Sequence, residues 1–538
     1  MEQENIETIS KPNKITLWFL ENKNLLIKVF LFTFIFGLMA HAFAYFNLNL
    51  SHDVLNEYEL GFHHKIRLGR FLQPLVRYVL GEIIFLPWVD GIASLFFIAC
   101  AVFLICKTFN YDKIMPIAIV AGVFVTNISV ISLTATYGHD LSGDMLALYL
   151  SVLAFSFYIK NKDSFNFKKA SILALLIIAV AGLYQSYFAV TVSLIFIHTL
   201  ICLLKGNNFK DEFKKLLFCL LTLLIALVLY LLISFVITKA INLELYSEDS
   251  YNSLANLKHP LDIIIRIPNA YANFFNGLFL PTGFVSKSPF FIIATIISVV
   301  NFFLFVLSIV IAIMIMVKHK VKISNIILIS ILFVLLPVAM NCVYLLSGVG
   351  HVLLIFSYAT FYILVLEIFK IANEKLNLLK LSNLIKYVSF GTFLVIASNI
   401  SLANSCYVKK DLEQQATLSY ITRVVDRVEE MPNYVPEETE IIFIGSFYEV
   451  FKIEIATKDD IIDYDYIAAV TGMGGASSIT YYQTIKSYFK NVMQYDVKIA
   501  DEKIKNEYAV LDEVKNMPAF PNQDSVKEID GRIVVKIN

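Results

Sequence analysis

Long runs of apolar residues recur along about the first three quarters of the chain. Each run is close to the ~20 residues with which an α-helix crosses about 30 Å of hydrocarbon. Charged residues lie mainly between the runs, a pattern typical of transmembrane helices. We therefore predict about eleven membrane-spanning helices, at residues 28–47, 88–106, 114–133, 144–159, 170–187, 189–204, 216–240, 289–317, 324–341, 352–369 and 387–404.

The composition supports a polytopic α-helical membrane protein. Of the 538 residues, 58% are hydrophobic and 16% are charged, whereas soluble proteins average about 45–50% and 25%. Lys+Arg and Asp+Glu both number 44, so no net field is available to hold nucleic acid and any electrostatic function must be local. The six cysteines follow neither zinc nor disulfide spacing, and Cys342–Cys406 is the one pair that could be considered.

The lysines of the short loops predict the orientation of the spans. Lysine-rich loops at residues 160–169, 205–215, 318–322 and 370–386 alternate with loops at 134–143 and 342–351 that contain neither Lys nor Arg. Cationic loops are retained on the cytoplasmic side during insertion. We therefore expect a cytoplasmic N-terminal segment at 1–27, a transmembrane domain at 28–404 with outer loops at 48–87, 134–143 and 241–288, and an external region at 405–538.

The region from residue 405 onward has the pattern of a small α/β domain. Periodicity predicts helices at 411–430, 479–493 and 502–515 and strands at 441–444 and 532–537. Gly472, Gly474 and Gly475 form a glycine-rich segment that could hold a phosphate or be a flexible loop. No strand-to-helix pattern of a P-loop surrounds these glycines, which favours the loop.

Carboxylates follow the first span directly. If residues 52–64 form one helix, Asp53, Glu57 and His64 share a face at three- and four-residue spacing. A carboxylate at this position could act as a general base and take a proton from an attacking sugar hydroxyl. The alternative is that Asp53 only caps the start of a helix.

Three arginines follow in the same outer loop. On a continuous helix from Ile66 to Gly81, the side chains of Arg67, Arg70 and Arg77 fall within about a quarter-turn of each other. They could bind a phosphate carried by a lipid, or they could pair with ordinary lipid headgroups at the membrane surface. Pro74 is expected to kink this helix or to end its first half.

A second acidic loop joins the third and fourth spans. Asp140 and Asp144 are four residues apart and follow His139, so they could bind a divalent metal, orient sugar hydroxyls or cap the next helix. Tyr184 and Gln185 lie at the outer end of a later span, where aromatic residues are common in any case. Nothing in this pattern requires a metal, and we expect no cofactor.

Several of these segments together resemble a known family. They are Ser51-His52-Asp53, Leu68-Gly69-Arg70-Phe71-Leu72-Gln73-Pro74, Tyr184-Gln185-Ser186-Tyr187, the run from Lys409 to Leu418, and Ser478-Ile479-Thr480-Tyr481-Tyr482-Gln483-Thr484. The combination resembles the Gtr type II family of membrane glucosyltransferases, which is similar to the GT-C class. The Gly-Arg-Phe-Leu-Gln-Pro segment is its most distinctive part.

The resemblance implies a function and roles for individual residues. Such a protein moves a sugar, here glucose, from a polyprenyl-phosphate carrier to a surface glycan such as an O-antigen, at the outer face of a bacterial cytoplasmic membrane. It implies that Asp53 is the base, that Asp140 and Asp144 assist it, and that Arg70, with Arg67 and Arg77, binds the donor phosphate. His52, Glu57, His139, Tyr184 and Gln185 are the expected substrate contacts. A donor-lipid synthase and a flippase are candidate protein partners.

Three other functions compete with this interpretation: a flippase for polyprenyl-linked glycans, a scaffold for an envelope assembly, and an O-antigen polymerase. Carriers usually need ionisable groups near the middle of the membrane. The later spans contain none at mid-depth, and the polar groups gather at one face. This weakens the carrier hypothesis but leaves the polymerase open.

Overall fold

The computed structural model describes residues 13–48, 50–61, 63–81, 85–245, 259, 261–279, 290–376, 381–445, 447, 456–457, 460–461 and 482–538. The glycine-rich segment at 472–475 and the first part of the predicted helix at 479–493 lie outside these residues.

Helices form most of the described part of the chain up to residue 429. They are α1 (Lys14–Phe46), α2 (His52–Leu60), α3 (His63–Arg67), α4 (Gln73–Val79), α5 (Pro87–Phe109), α6 (Ile114–Val125), α7 (Ile128–Thr136), α8 (Leu141–Asn161), α9 (Phe167–Leu183), α10 (Phe188–Lys205), α11 (Phe209–Ala240), α12 (Leu261–Phe279), α13 (Phe290–Lys318), α14 (Ile323–Met340), α15 (Cys342–Ser347), α16 (Thr360–Leu376) and α17 (Leu381–Glu429).

Ten helical segments in the described part of the chain are long and apolar enough to cross a membrane. Each overlaps a predicted span, which confirms a polytopic membrane protein. The remaining predicted span, 170–187, corresponds to α9, which has 17 residues and is shorter than the ~20 residues of a typical crossing. The predicted count of eleven is therefore not confirmed, although α9 packs between α8 and α11.

Burial distinguishes central helices from peripheral ones. In α10, 89% of the residues in the apolar stretch are buried inside the protein. This helix contacts α8, α14 and α16. In α11 and α13, only 33% is buried, and α11 exposes large side chains such as Leu217, Leu224 and Val236. An exposed apolar surface of this kind suits contact with lipid.

Lysines cap helix ends at one face of the helical bundle, which we call the lysine-rich face. Lys370 donates hydrogen bonds to the carbonyls of Phe109 and Asn110 at the end of α5, and Lys318 donates to that of Leu376 at the end of α16. A cation at a helix C-terminus satisfies free carbonyls and opposes the negative end of the helix dipole. The assignment of this face to the cytoplasm stays a prediction from the loop charges.

Helix α17 runs without a break from the membrane-spanning part into the C-terminal region. It has 49 residues, so the predicted boundary at 404/405 falls inside it. Beyond it are β1 (Glu440–Ile444), β2 (Ala456–Thr457), β3 (Asp460–Ile461), α18 (Tyr482–Ser487), β4 (Lys498–Ile499), α19 (Glu502–Ala509), α20 (Asp512–Lys515), β5 (Val526–Ile529) and β6 (Arg532–Lys536). The six cysteines are free, including Cys342 and Cys406.

The C-terminal strands form a mixed sheet in the order β4-β1-β6-β5. β1 is parallel to β4 and β6, with Ile441 opposite Ile533, and β5 is antiparallel to β6. The apolar cluster of this sheet also includes Leu55 of α2, which is completely buried with Ile421 and Phe489. The C-terminal region thus packs on the helix that carries Asp53.

Candidate active site

Charged side chains are buried together where α2, α3, α4 and the beginning of α8 meet. Four carboxylates and three cations take part, and all except Asp53 are almost inaccessible. Burial of an isolated charge is costly, so such groups must be paired or hydrogen-bonded. We call this set the charged cluster. It consists of Asp53, Glu57, Asp140, Asp144, Lys65, Arg70 and Arg77.

Helix α2 is held at its first turn by Ser51. The Ser51 hydroxyl accepts a hydrogen bond from the Val54 backbone N–H and donates one to the Thr136 carbonyl at the end of α7. Ser51, not Asp53, is therefore the N-cap, and the capping interpretation of Asp53 is wrong. The predicted single helix over 52–64 is also wrong, because α2 ends at Leu60 and Gly61 adopts φ +59°.

The predicted continuous helix from Ile66 to Gly81 is wrong as well. Helix α3 ends at Arg67, a turn follows, and α4 begins at Gln73 with Pro74 in its first turn. Gly69 has φ +76°, and a Cβ at this position would collide with the Tyr230 hydroxyl. The turn separates the three arginines, so they do not form the stripe on a surface helix that the periodicity predicted.

Neighbouring helices fix the backbone of this turn. The Leu72 N–H donates to the Gly182 carbonyl at 2.9 Å, and the Gln185 amide donates to the Leu68 carbonyl at 2.9 Å and to the Tyr230 hydroxyl at 2.7 Å. Gln185 was a predicted substrate contact. In the structure its amide nitrogen holds the turn in place.

The same segment reaches the second acidic loop through Gln73. The Gln73 amide donates to Asp144 Oδ1 at 2.6 Å, and Gly143 makes this approach feasible because a Cβ there would collide with the Gln73 side chain. Asp140 occupies the N-cap position of α8 without accepting a capping hydrogen bond from it. The capping interpretation of the second loop therefore fails for Asp140.

Lys65 lies at the centre of the charged cluster, although it was not among the site residues predicted from the sequence. Its ammonium group is 2.7 Å from Asp140 Oδ2, 3.2 Å from Asp53 Oδ2 and 3.7 Å from Glu57 Oε2. Burial lowers the pKa of Lys65, but the carboxylates outweigh burial and raise that pKa above its ordinary value. Lys65 is thus a permanent cation. The available signal was a lone lysine directly after two histidines in an outer loop.

Asp53 is the most accessible of the ion-paired carboxylates in the charged cluster. Its side chain is 13% exposed, against 5% for Glu57 and 1% for Asp140. Burial raises the pKa of Asp53, but Lys65 and then His139 outweigh burial, so that pKa lies below its ordinary value. Asp53 is therefore ionised at neutral pH and able to accept a proton.

Glu57 has the opposite electrostatic balance. Burial, reinforced by Asp140 and Asp53, raises the pKa of Glu57 to about 7, although Lys65 and Arg77 oppose the change. The Arg77 guanidinium pairs with Glu57 Oε1 at 2.9 Å. Arg77 is therefore engaged by Glu57 inside the charged cluster.

The other two arginines differ in position. Arg67 donates to the Glu244 carbonyl at 3.1 Å, which directs it toward the segment after α11. Arg70 is buried, lies 3.4 Å from Asp140 Oδ2 and stacks its guanidinium 4.2 Å from the centre of the Tyr184 ring. Its Nε has no hydrogen-bond partner among the described residues. Arg70 consequently retains donor capacity for an anion.

The two predicted histidines have different neighbours. His139 Nε2 is 3.3 Å from Asp53 Oδ2 and 3.5 Å from Asp140 Oδ1. His52 is buried beside Tyr137, with the rings edge to face. Ligand atoms of Asp53, His139 and Asp140 all lie within 4.8 Å of each other, close enough to share a metal ion. Lys65 supplies a positive charge to the two carboxylates of this group.

An apolar cavity adjoins the Arg70 side of the cluster. It lies between α10, α11 and α15, and Tyr184, on which Arg70 stacks, forms part of its wall. Phe188, Leu227, Leu346 and Leu354 line it further. A ligand with an anionic head and an apolar tail would find both environments side by side.

Fold and site define a polytopic membrane protein with a buried charged cluster at the membrane face opposite the lysine-rich one. The family model described as Glucosyl transferase GtrII matches residues 42–369, which is more than half of the chain and includes the whole charged cluster. The chain belongs to this family and is a glycosyltransferase, so the resemblance seen in the sequence is confirmed. Comparisons with curated proteins and with solved structures find no significant match.

Proposed function

We propose that this protein is a GT-C-type enzyme that transfers a hexose, glucose by family, from a polyprenyl-phosphate donor to a surface glycan at the outer face of the bacterial cytoplasmic membrane. Arg70 carries the proposal. It is a buried cation whose Nε has no hydrogen-bond partner among the described residues, and it lies between the carboxylates of the charged cluster and an apolar cavity.

Arg70 suits the donor phosphate because guanidinium forms charge-assisted hydrogen bonds with phosphate oxygens. As the sugar leaves, negative charge develops on this phosphate, and a preorganised cation stabilises it. The cavity beside Tyr184 would hold the first isoprene units of the carrier. A donor that is already activated needs no nucleotide-binding site. Arg67 and Arg77, which have other partners, do not share this role.

Asp53 suits the role of base because it is ionised and is the ion-paired carboxylate that an acceptor hydroxyl can best reach. Lys65 lowers the basicity of Asp53 in the resting protein. The anionic phosphate of the donor would compete for the charge of Lys65 and so make Asp53 a stronger base once the donor is bound. Direct displacement by the acceptor hydroxyl inverts the anomeric carbon.

The lysines support the assignment of the reaction to the outer face. The charged cluster and the C-terminal region are at the face opposite the lysine-rich loops, which are expected to remain in the cytoplasm. A polyprenyl-linked sugar that has been moved across the membrane would then meet its acceptor glycan there.

The test is transfer by the purified full-length protein in lipid nanodiscs, supplied with glucosyl polyprenyl phosphate and an acceptor glycan. We expect release of polyprenyl phosphate that depends on the acceptor, measured by mass spectrometry. Transfer from a nucleotide sugar without lipid donor would contradict the proposed donor. If a polyprenyl-pyrophosphate-linked glycan is supplied as the donor instead, chain extension with release of polyprenyl pyrophosphate would identify a polymerase.

A further inference from the structure

Lys65 occupies the middle of a group of atoms that could hold a metal ion. Carboxylate oxygens of Asp53 and Asp140 and a ring nitrogen of His139 lie within 4.8 Å of each other. The Lys65 ammonium is 2.7 Å from Asp140 and 3.2 Å from Asp53, which are hydrogen-bond distances. The position between the two carboxylates is therefore already filled by a positive charge.

We propose that Lys65 is the resident cation of this site and takes the place of a divalent metal ion. Lys65 is a positioning residue: it holds Asp53 and Asp140 in fixed relation, and Asp53 acts on the acceptor. This catalytic part rests on the proposed function. The occupancy of the site by the ammonium group, and the resulting lack of affinity for a divalent ion, do not.

Charge balance supports the assignment. The Lys65 ammonium is within 3.2 Å of Asp53 and of Asp140, which are the two carboxylates of the candidate metal group. Arg77 is engaged by Glu57, and Arg70 lies at 3.4 Å from Asp140, so neither replaces the lysine at Asp53. Removal of Lys65 would leave buried, poorly compensated anions that attract another cation.

Hydrogen bonds fix the backbone around Lys65. The Lys65 carbonyl accepts a hydrogen bond from the Arg70 N–H at 2.9 Å, which closes the turn that Gln185 also holds. The side chain is 1% exposed. A divalent ion bound among the same ligands would be only a few ångströms from the ammonium group, and repulsion in this buried setting opposes its binding.

Unsatisfied polar atoms surround the ammonium group. Both ring nitrogens of His139 and Oδ1 of Asp140 are buried without hydrogen-bond partners in the described part of the chain. These are metal-ligating atom types. A variant without the lysine would thus expose a ready ligand set, and the native protein would not.

Manganese titration followed by electron paramagnetic resonance tests the proposal on the purified full-length protein without any turnover. We expect no site-bound Mn²⁺ in the wild type. In Lys65→Ala or Lys65→Met, we expect one bound Mn²⁺ with an affinity at least about tenfold higher than that of the wild type. The second variant keeps most of the side-chain volume. Addition of His139→Ala should weaken that binding again.

Binding of Mn²⁺ to the wild type that is lost in His139→Ala would overturn the proposal, and so would a folded Lys65 variant that binds no better than the wild type. A second measurement needs no variant: EDTA should leave the rate of wild-type transfer unchanged, and loss of transfer that Mn²⁺ restores would also overturn it. A protein that binds no Mn²⁺ but transfers no lipid-linked hexose would contradict the proposed function alone.

Discussion

Replacement of Asp53 by asparagine separates catalysis from structure at the charged cluster. The change keeps the size of the side chain but removes its ability to take a proton. Ser51 provides the cap of α2, so the helix keeps its N-terminal hydrogen bonds in the variant. Folding of α2 should therefore survive, and any loss of transfer reports on the carboxylate.

The magnitude follows from the contacts. Asp53→Asn removes the ion pair with Lys65 at 3.2 Å, while Asp140 remains at 2.7 Å from the same ammonium group. Because Lys65 stays paired, we expect a loss of only about 1–2 kcal/mol in stability. Transfer should fall by roughly 10²–10⁴-fold, the usual contribution of a positioned acid or base.

The assay is acceptor-dependent release of polyprenyl phosphate, with the melting temperature of the purified variant as a check on folding. Asp512→Asn is the matched control, because that side chain is 96% exposed and far from the charged cluster in sequence. Asp140→Asn and Asp144→Asn should cost less than Asp53→Asn. Near-normal transfer by Asp53→Asn, with collapse of transfer in Glu57→Gln, would refute the assignment of Asp53 and move the base to Glu57.

Three further predictions concern the donor, pH and topology. Arg70→Ala should weaken binding of the lipid donor by about 1.5–3 kcal/mol, and Arg70→Lys should recover part of that loss. Arg67→Ala should change donor binding little. Equal effects of Arg70→Ala and Arg67→Ala in donor titrations would contradict the role of Arg70. Glu57 has its pKa raised from an ordinary value of 4.5 to about 7, so between these two values the folded state binds more protons than the unfolded state. Stability should fall by up to about 3 kcal/mol as the pH rises across that window, and a Glu57→Gln variant with the same pH dependence of melting as the wild type would refute this. A cysteine at Val510, which is 63% exposed, should react with an impermeant maleimide in spheroplasts without lysis; labelling only after lysis would reverse the predicted orientation.

The membrane spans could be predicted because length and apolar composition are local properties of the sequence. Ten of the predicted spans match helices in the described part of the chain. The ends of helices depend on more distant contacts. α17 continues past the predicted boundary at 404/405 because its apolar positions pass from the membrane-spanning bundle to the sheet cluster, where Ile421 and Val424 are buried.

The short helices of the first outer loop were not predicted correctly, although two glycines carried the signal. Helical periodicity placed Arg67, Arg70 and Arg77 on one face, but Gly61 and Gly69 adopt positive φ and divide the segment. Periodicity counts which side chains share a face and assumes an unbroken helix. Greater weight on Gly69 followed by Pro74 would have predicted a turn.

The sequence predicted which residues belong to the charged cluster better than it predicted how those residues pair. Sequence reasoning selected the four carboxylates and the arginines, yet Arg67 donates to the Glu244 carbonyl instead. Arg77 pairs with Glu57 and Arg70 lies 3.4 Å from Asp140, so a buried Asp53 needs another cation. Lys65 is one of the few cations of that loop. Near-neutrality of a buried site is a physical constraint that can identify such a residue from the sequence, but which carboxylates it contacts depends on the turn at Gly69.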